Sequence, residues 1–422
     1  MSLLLVSHGH PRFACGGGEL AAWRLFEQFR DQPGFEGSGF LAAASSAEVF
    51  PAGCEVVGLT EDQWLIKRSP NPIFHDTAVS LRDGSQLHEA LRHRDFRLIH
   101  LHHYLHVGLD LVQALRRWFP QAKLILTLHD YWGPCVFEGR LLRRSGELCS
   151  GGDPEACDAC LGGDRRGELA IREWRLKRLF AAVDHCLSPS FFLKRCYLQW
   201  GVDPHRISVV ENLPAPASPS AEDHQDCTRP DLNQQPLVLG YFGQINPWKG
   251  LDRILQALVL LQAKESGAPR VRLDVHGPLP QDQDSAFWMQ CLALIDQLGP
   301  ERVRLCGGYA PEHLAERMAA VDWVVMASIW YENSPMVIQE AYRHGRPVLA
   351  PRLGGMAEKV RHGSSGWLFE PDAIENLVHA IQCLCQLPLA EAKVLQRGAA
   401  SMAKSSGRAE ERHARLYRQW LQ

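Results

Sequence analysis

Short runs of consecutive apolar residues recur along this chain, each followed by a turn and a stretch with apolar positions three and four apart. Runs at 3–7, 98–102, 124–128 and 185–188 form one set, and runs at 237–242, 271–276, 303–306, 322–326 and 347–350 form a second. They are too short for helices and apolar at successive positions, which predicts strands buried on both faces. Segments 18–29, 251–263 and 374–387 between them carry the helical period. Strands alternating with helices in this way predict parallel sheets covered on both sides.

The two sets are separated by "NLPAPASPSAEDHQDCTRPDLNQQP", rich in proline, serine and acid and without a helical or strand period. This predicts an α/β protein with two doubly wound domains, 1–213 and 236–405, joined by a linker at 214–235. A length of 422 residues suits two cores better than one, and 45% hydrophobic with 22% charged residues is a soluble globular balance. The formal net charge of −3 gives no reason to expect a nucleic-acid partner. No apolar run reaches the roughly 20 residues of a membrane span, and "MSLLLVSHGH" reads as a first strand and not as a signal peptide. Thirteen cysteines, odd in number and scattered, then suggest reduced thiols in a cytoplasmic protein.

In doubly wound sheets, ligands bind beyond the carboxyl ends of the strands. The stretch "ENSPMVIQEAYRHG" follows such an end. Ser334 suits an N-cap, Pro335 the first helical position and Gly345 the C-terminal stop, which predicts a helix running to His344. Its first amides, those of Met336 and Val337, would then present a partial positive charge suited to a phosphate. Glu332 on the preceding loop and Glu340 inside the helix would flank the same ligand, and ionised carboxylates accept hydrogen bonds from sugar hydroxyls. Alternatively, Glu332 merely charges the helix start and Glu340 belongs to a solvated face.

The surrounding sequence decides between these. Residues 321–380 resemble the retaining GT-B-fold glycosyltransferases of family 4. Here stand two glutamates with seven residues between them (Glu332, Glu340), then Gly345-Arg346-Pro347-Val348, Gly354-Gly355, Glu358, Val360, Gly363 and Gly366. The resemblance implies two Rossmann-like domains facing each other across a cleft, with the C-terminal helix, 406–422, packing back on the first. It also implies transfer of a hexose with retention from a nucleoside diphosphate donor, and no divalent metal or other cofactor required for catalysis.

Other motifs fit that expectation. In "GYFGQINPWKG", after the first strand of the second domain, a glycine turn and then Lys249 allow backbone and ammonium to approach a diphosphate. Gln244 stands where the family usually has arginine, which removes one charge and leaves more to Lys249. A lysine that merely caps the next helix is the plainer reading. "CGGGEL" permits close backbone approach at a helix start but is no dinucleotide fingerprint, and the resemblance matches Gly17 and Gly18 to the family's donor-touching loop. His102, His103, His129 and Asp130 end two neighbouring strands. The resemblance places His129 near the transferred sugar and His102, with Asp130, on the acceptor side. Glu332, His129 and Lys249 are thus the expected catalytic groups. Ser334, Pro335, Met336, Val337, Gln244 and Glu340 join Lys249 and the glycines as donor-binding ones.

Two segments stand apart. Cys135, Cys149, Cys157 and Cys160 are spaced C-x13-C-x7-C-x2-C in a glycine-rich stretch. Four thiolates could hold a structural zinc, closed to catalysis because no coordination position stays open; four free cysteines are the alternative. The basic helix "RRGELAIREWRLKRLF" interleaves Leu169, Trp174, Leu176 and Phe180. It could dock on the inner face of a membrane beside a lipid-linked acceptor, or simply pack its apolar stripe on the sheet.

The sequence thus points to a glycosyltransferase using a nucleotide diphosphate sugar and a glycan or lipid-linked acceptor, with cell-envelope polysaccharide synthesis as its expected setting. Two rivals stay open on the same scaffold: a nucleotide-sugar epimerase, which needs no acceptor, and a non-catalytic nucleotide-sugar-binding subunit.

Overall fold

The computed structural model describes residues 2–13, 16–45, 49–69, 74–151, 154–214, 236–264, 271–406 and 408–421. Cys15 of the glycine turn and nearly all of the expected linker lie outside these residues. The chain forms two compact units, residues 1–213 with 409–422, and residues 214–408.

In the first unit the strands are β1 (Ser2–Ser7), β2 (Gly39–Ala44), β3 (Val56–Thr60), β4 (Gln63–Lys67), β5 (Phe96–Leu101), β6 (Lys123–Thr127), β7 (His185–Ser188) and β8 (Ile207–Val209). They lie in the order β3-β4-β2-β1-β5-β6-β7-β8. Every neighbouring pair is parallel except the edge hairpin β3–β4. The apolar runs located β1, β5, β6 and β7 but not the others. β2 reads GFLAAA, and its glycine and alanines carry little strand propensity although all six residues are buried.

The second unit carries β9 (Leu237–Phe242), β10 (Val271–His276), β11 (Val303–Gly307), β12 (Trp323–Val325), β13 (Val348–Pro351) and β14 (Gly366–Phe369). Their order is β11-β10-β9-β12-β13-β14, parallel throughout. Side chains alternate faces along a strand, and β9 shows the result. Leu237, Leu239 and Tyr241 enter the core formed with helices Leu251–Gln262 and Ile374–Gln386. Val238 and Phe242 enter the opposite core with Ile338, Ala341 and Tyr342. Each fully buried leucine there contributes about 1.5–3 kcal/mol, which fixes the strand between two helical layers.

The terminal helix Arg408–Leu421 belongs to the first unit. Ala409 and Tyr417 are buried among Phe29, Phe35 and Leu98, and the Tyr417 hydroxyl lies 2.5 Å from Nδ1 of His100. Among the described residues no helix is long and apolar enough to cross a membrane.

In each sheet the connections run one way from the first strand and then reverse, between β1 and β5 in one unit and between β9 and β12 in the other. Crevices form at such switch points, beyond the strands' carboxyl ends.

Candidate active site

In the second unit, β9 leads into Gly243 and Gln244 and then a single 3-10 turn, Pro247–Lys249. The Asn246 side chain caps this turn, accepting from the amides of Trp248 and Lys249 at 3.1 and 3.2 Å. Gly250 follows with φ +70°, and a Cβ there would stand 2.0 Å from the Ala327 carbonyl oxygen, so the turn closes on the loop after β12 only with glycine. The Ile329 amide donates to the Trp248 carbonyl at 3.0 Å and ties the two loops together.

This closure brings Lys249 to Glu332. The ammonium Nζ lies 2.6 Å from Oε1 of Glu332. The same oxygen accepts from the Ser328 hydroxyl at 2.9 Å and from the Trp330 indole N–H at 3.1 Å. Glu332 is buried, while Lys249 keeps 29% of its side chain exposed. A buried carboxylate needs such partners, since an unpaired one would be costly. The sequence expectation assigns Lys249 to a diphosphate and Glu332 to a hexose; in the structure one oxygen of Glu332 accepts from three donors, and Lys249 is one of them. Ser328 and Trp330 went unnoticed in the sequence, where only their place in the loop "ASIWYEN" marked them.

Beyond Glu332 the helix runs Met336–Arg343, and Pro335, with ψ at 119°, is its cap residue. The expected capping by Ser334 is therefore corrected: no side chain caps this helix, and the Ser334 hydroxyl is buried without a hydrogen-bond partner. The extended Pro335 postpones the first helical residue to Met336. At the other end, Gly345 at φ +63° terminates the helix as the sequence predicted. Glu340 is half-buried and close enough to Tyr309 and Arg343 to act on both electrostatically: it counters the burial that lowers the Arg343 pKa and adds to the burial that raises Tyr309 to about 12. Gln244 is exposed, and its carbonyl accepts from the Tyr241 hydroxyl at 2.6 Å.

The glycine pair after β13 has a defined task. The Gly355 amide donates to the Glu332 carbonyl at 2.7 Å. A Cβ on Gly355 would stand 1.6 Å from the Asn333 carbonyl oxygen, and Gly354 has φ +52°. The pair clamps the backbone that carries Glu332.

The first unit gathers its polar groups at its own switch point. His8 follows β1, and its Nε2 lies 3.1 Å from Oε1 of Glu19 in helix Gly17–Arg30. Burial would raise the Glu19 carboxyl, but the hydrogen bond and charge of His8 hold it at about 2. Gly18 lets the helix start pass close by: a Cβ there would meet Cε1 of His8 at 2.8 Å and Cγ of His129 at 3.5 Å. Gly17 beside it is exposed. His102 is 1% exposed, stacks with His129, and its Nδ1 lies 3.0 Å from Nε2 of His129. Burial lowers both histidines, His129 to about 3, so both are neutral at pH 7.

His103 pairs with Asp130 at 2.7 Å. Nδ1 of His103 accepts from the Leu105 amide at 2.8 Å, so the proton sits on Nε2 and is donated to Asp130. Asp130 takes a second bond from the Trp132 amide at 2.9 Å. Burial would raise the Asp130 carboxyl, but His103 and that amide keep it below its ordinary value. Asp130 thus remains a charged acceptor, and His129 a neutral ring able to accept or donate one hydrogen bond. His102, expected on the acceptor side, is instead an interior support for His129. His8 was missed, since histidines just after a first strand give no signal by themselves.

Cys135, Cys149, Cys157 and Cys160 line one small cavity with Pro134, Phe137 and Leu142. A different trio, Asp274, His276 and Cys306, has its ligand atoms within 4.8 Å of one another. Arg272 grips both oxygens of Asp274, and Arg317 lies 3.1 Å from Nδ1 of His276. Two guanidinium charges occupy the place a cation would need. On the basic helix Arg166–Ala182, Leu169, Leu176 and Phe180 are buried, whereas Ile171 and Trp174 are exposed.

Comparison with known proteins adds the following. Residues 42–213 match the family described as Glycosyltransferase Family 4, and residues 236–386 match the one described as Glycosyl transferases group 1. The chain is 31% identical over 195 residues to a D-inositol 3-phosphate glycosyltransferase of Rhodococcus opacus, covering 45% of this chain and 42% of that protein. It is 29% identical over 196 residues to a lipopolysaccharide 1,2-N-acetylglucosaminetransferase of Salmonella typhimurium, covering 46% and 51%. The chain therefore spans about half the length of these relatives. Among solved structures, HepE of Anabaena in complex with UDP superposes with a TM-score of 0.67 at 20% identity, covering 99% of this chain and 100% of HepE. Sucrose-phosphate synthase of Thermosynechococcus elongatus superposes equally, with a TM-score of 0.67 at 20% identity over 99% of both chains.

Proposed function

Since the chain belongs to the family 4, group 1 glycosyltransferases of the GT-B fold, we propose that it is a retaining enzyme that moves a hexose from a nucleoside diphosphate donor to a glycan or lipid-linked acceptor. One observation carries this reading: the Lys249–Glu332 pair spans the switch point of the second sheet, at the start of a helix that no side chain caps.

In this reading the diphosphate lies against the helix start at Met336 and Val337, where the helix dipole favours negative charge. Lys249, fixed in place by Glu332, supplies the ammonium for the departing diphosphate, where stabilisation of developing charge contributes most to rate. Gln244 adds a hydrogen bond in place of a second cation. Glu340 takes the ribose hydroxyls. The second oxygen of Glu332, which none of the three donors touches, is left for a hexose hydroxyl. In the first unit, Gly17 and Gly18 give backbone access, and His129 and Asp130 take sugar hydroxyls.

The UDP held by HepE supports a UDP-sugar donor, and the lipopolysaccharide relative supports a role in the cell envelope. The exposed Ile171 and Trp174 on a basic helix support a cytoplasmic protein working against the inner face of a membrane, where lipid-linked acceptors reside.

The test is turnover. UDP-, GDP- and ADP-sugars labelled in the hexose are incubated with the protein, with and without an extract of lipid-linked and soluble glycans. Label moving into the glycan fraction, with release of the nucleoside diphosphate, is expected. An isomerised sugar nucleotide without acceptor would identify an epimerase, and tight binding with no turnover under any condition would identify a binding subunit.

A further inference from the structure

The four cysteines after Asp130 are used by nothing in the transfer reaction, yet the fold assembles them with care. Cys135 sits in the loop that leaves Asp130 and Trp132. Residues 141–149 then fold into a small hairpin: Leu142 bridges Leu148, and Arg143 accepts from Gly146 while donating to Glu147. The Cys149 amide closes this hairpin by donating to the Leu141 carbonyl at 2.8 Å. Helix Pro154–Leu161 contributes Cys157 and Cys160, which at i and i+3 share one face. Three separate local elements thus bring four free thiols to the wall of one cavity, although no three of the sulfurs lie within 4.8 Å of one another, so ligation must draw them inward. Its volume is about 20 Å³, room for a single water-sized body.

We propose that Cys135, Cys149, Cys157 and Cys160 hold one zinc ion as a closed tetrathiolate clip. Three features of the surroundings favour a metal over four idle thiols. Little else stabilises the tip of the hairpin: residues 143–148 are exposed, and hydrophobic burial holds only its base, through Leu141 and Leu142. The buried Arg172 donates to the carbonyls of Trp132 and Gly133, close in the chain to Cys135, and so brings a positive charge to this side of the cluster. Its guanidinium offsets part of the net double negative charge of zinc with four thiolates. Nε of Arg172 is buried without a hydrogen-bond partner, a donor that a metal-bound sulfur would accept from.

Binding is an exchange without redox chemistry: one zinc ion displaces four protons, and four zinc–sulfur bonds of about 2.3 Å form. All four positions are filled, so the ion polarises no substrate and activates no water. Its effect is on position. Arg172 also donates to the carbonyls of Trp132 and Gly133, and the Tyr197 hydroxyl accepts from the Gly133 amide and donates to the Asp130 carbonyl. The clip therefore closes the loop that begins at His129 and Asp130. This inference stands independently of the donor assignment and survives if that assignment fails.

The test uses the full chain, purified under reducing conditions without chelator. Elemental analysis is expected to give one zinc per chain, and a Cys157→Ser/Cys160→Ser variant is expected to carry none. Because that variant could misfold, the wild type is also stripped with a thiol-competing chelator and titrated with cobalt. The visible bands of a tetrahedral cobalt tetrathiolate should saturate at one equivalent, and added zinc should bleach them and raise Tm. Three results would overturn the proposal: under half an equivalent of zinc with no cobalt spectrum, iron in place of zinc, or a freshly isolated protein in which thiol titration finds these cysteines paired as disulfides.

Discussion

The Lys249 ammonium lies 2.6 Å from a buried carboxylate oxygen of Glu332, joining the loops that leave two neighbouring strands on either side of a switch point. The pair is 83 residues apart in sequence, and it makes the cation position a property of the fold and not of one flexible side chain. A double-mutant cycle with Lys249→Met and Glu332→Gln should therefore show coupling. Lys249→Met alone leaves Glu332 with Ser328 and Trp330 as donors, and should cost about 1–3 kcal/mol in urea unfolding. The double variant should recover at least about 1 kcal/mol of the summed losses; strict additivity would mean the pair contributes nothing.

Glu340 contributes differently. It is half-buried on a helix already packed through Ile338, Ala341 and Tyr342. Glu340→Ala should leave the unfolding midpoint nearly unchanged, within about 0.5 kcal/mol. It should weaken nucleotide binding about tenfold or more, the loss of a charged acceptor for sugar hydroxyls. Calorimetric titration of both proteins checks this, and unchanged affinity would remove Glu340 from the site.

The glycine clamp predicts a contrast between two alanine substitutions. Gly355→Ala places a Cβ 1.6 Å from the Asn333 carbonyl and must displace the backbone of Glu332. It should lower stability by about 1–3 kcal/mol and abolish nucleotide binding together. Gly363→Ala, at φ +73° with no atom within 4 Å, should cost only about 1–2 kcal/mol of backbone strain and keep the affinity. Thermal melts with and without nucleotide separate the two.

Burial sets the acid stability. It holds His75 and His129 at about 3 and His106 and His413 at about 4, whereas the unfolded chain carries its histidines near 6.5. The folded values are depressed, so their contribution is fully present above pH 6.5 and is lost as pH falls toward 4 and 3, because only the unfolded chain takes up protons there. Each such histidine removes up to about 1.4 kcal/mol per pH unit in that window. Urea unfolding from pH 7.5 to 4.5 should show stability falling with an uptake of more than one proton on unfolding. A flat profile across that range would contradict the buried, neutral cluster.

Much of the fold was legible because buried parallel strands are short and continuously apolar. β9, β10 and β7 lie where those runs are, and the ends of β9 and β12 pointed to Lys249 and Glu332. β2 was illegible because alanine and glycine carry no strand signal, β3 because its edge position leaves it only half-buried, and β4 because its buried apolar run is just three residues, Trp64–Ile66, between Gln63 and Lys67. Within the site, the sequence marked which residues share a sheet edge but not which of them bond. The Lys249–Glu332 pair, which completes the triple load on one carboxylate oxygen, depends on loop closure between strands distant in sequence, and the His8–Glu19 contact on how the first helix starts beside the end of β1. The Ser-Pro signal misled by one residue because Pro335 adopts an extended ψ and becomes the cap itself.

The most direct test is a crystal structure of the protein with the nucleoside diphosphate that gives the largest rise in Tm. The account predicts the β-phosphate within hydrogen-bonding distance of Lys249 Nζ and of the first amides of the helix at Met336, with the ribose hydroxyls on Glu340. A nucleotide bound elsewhere, with the Lys249–Glu332 pair untouched by ligand, would contradict it.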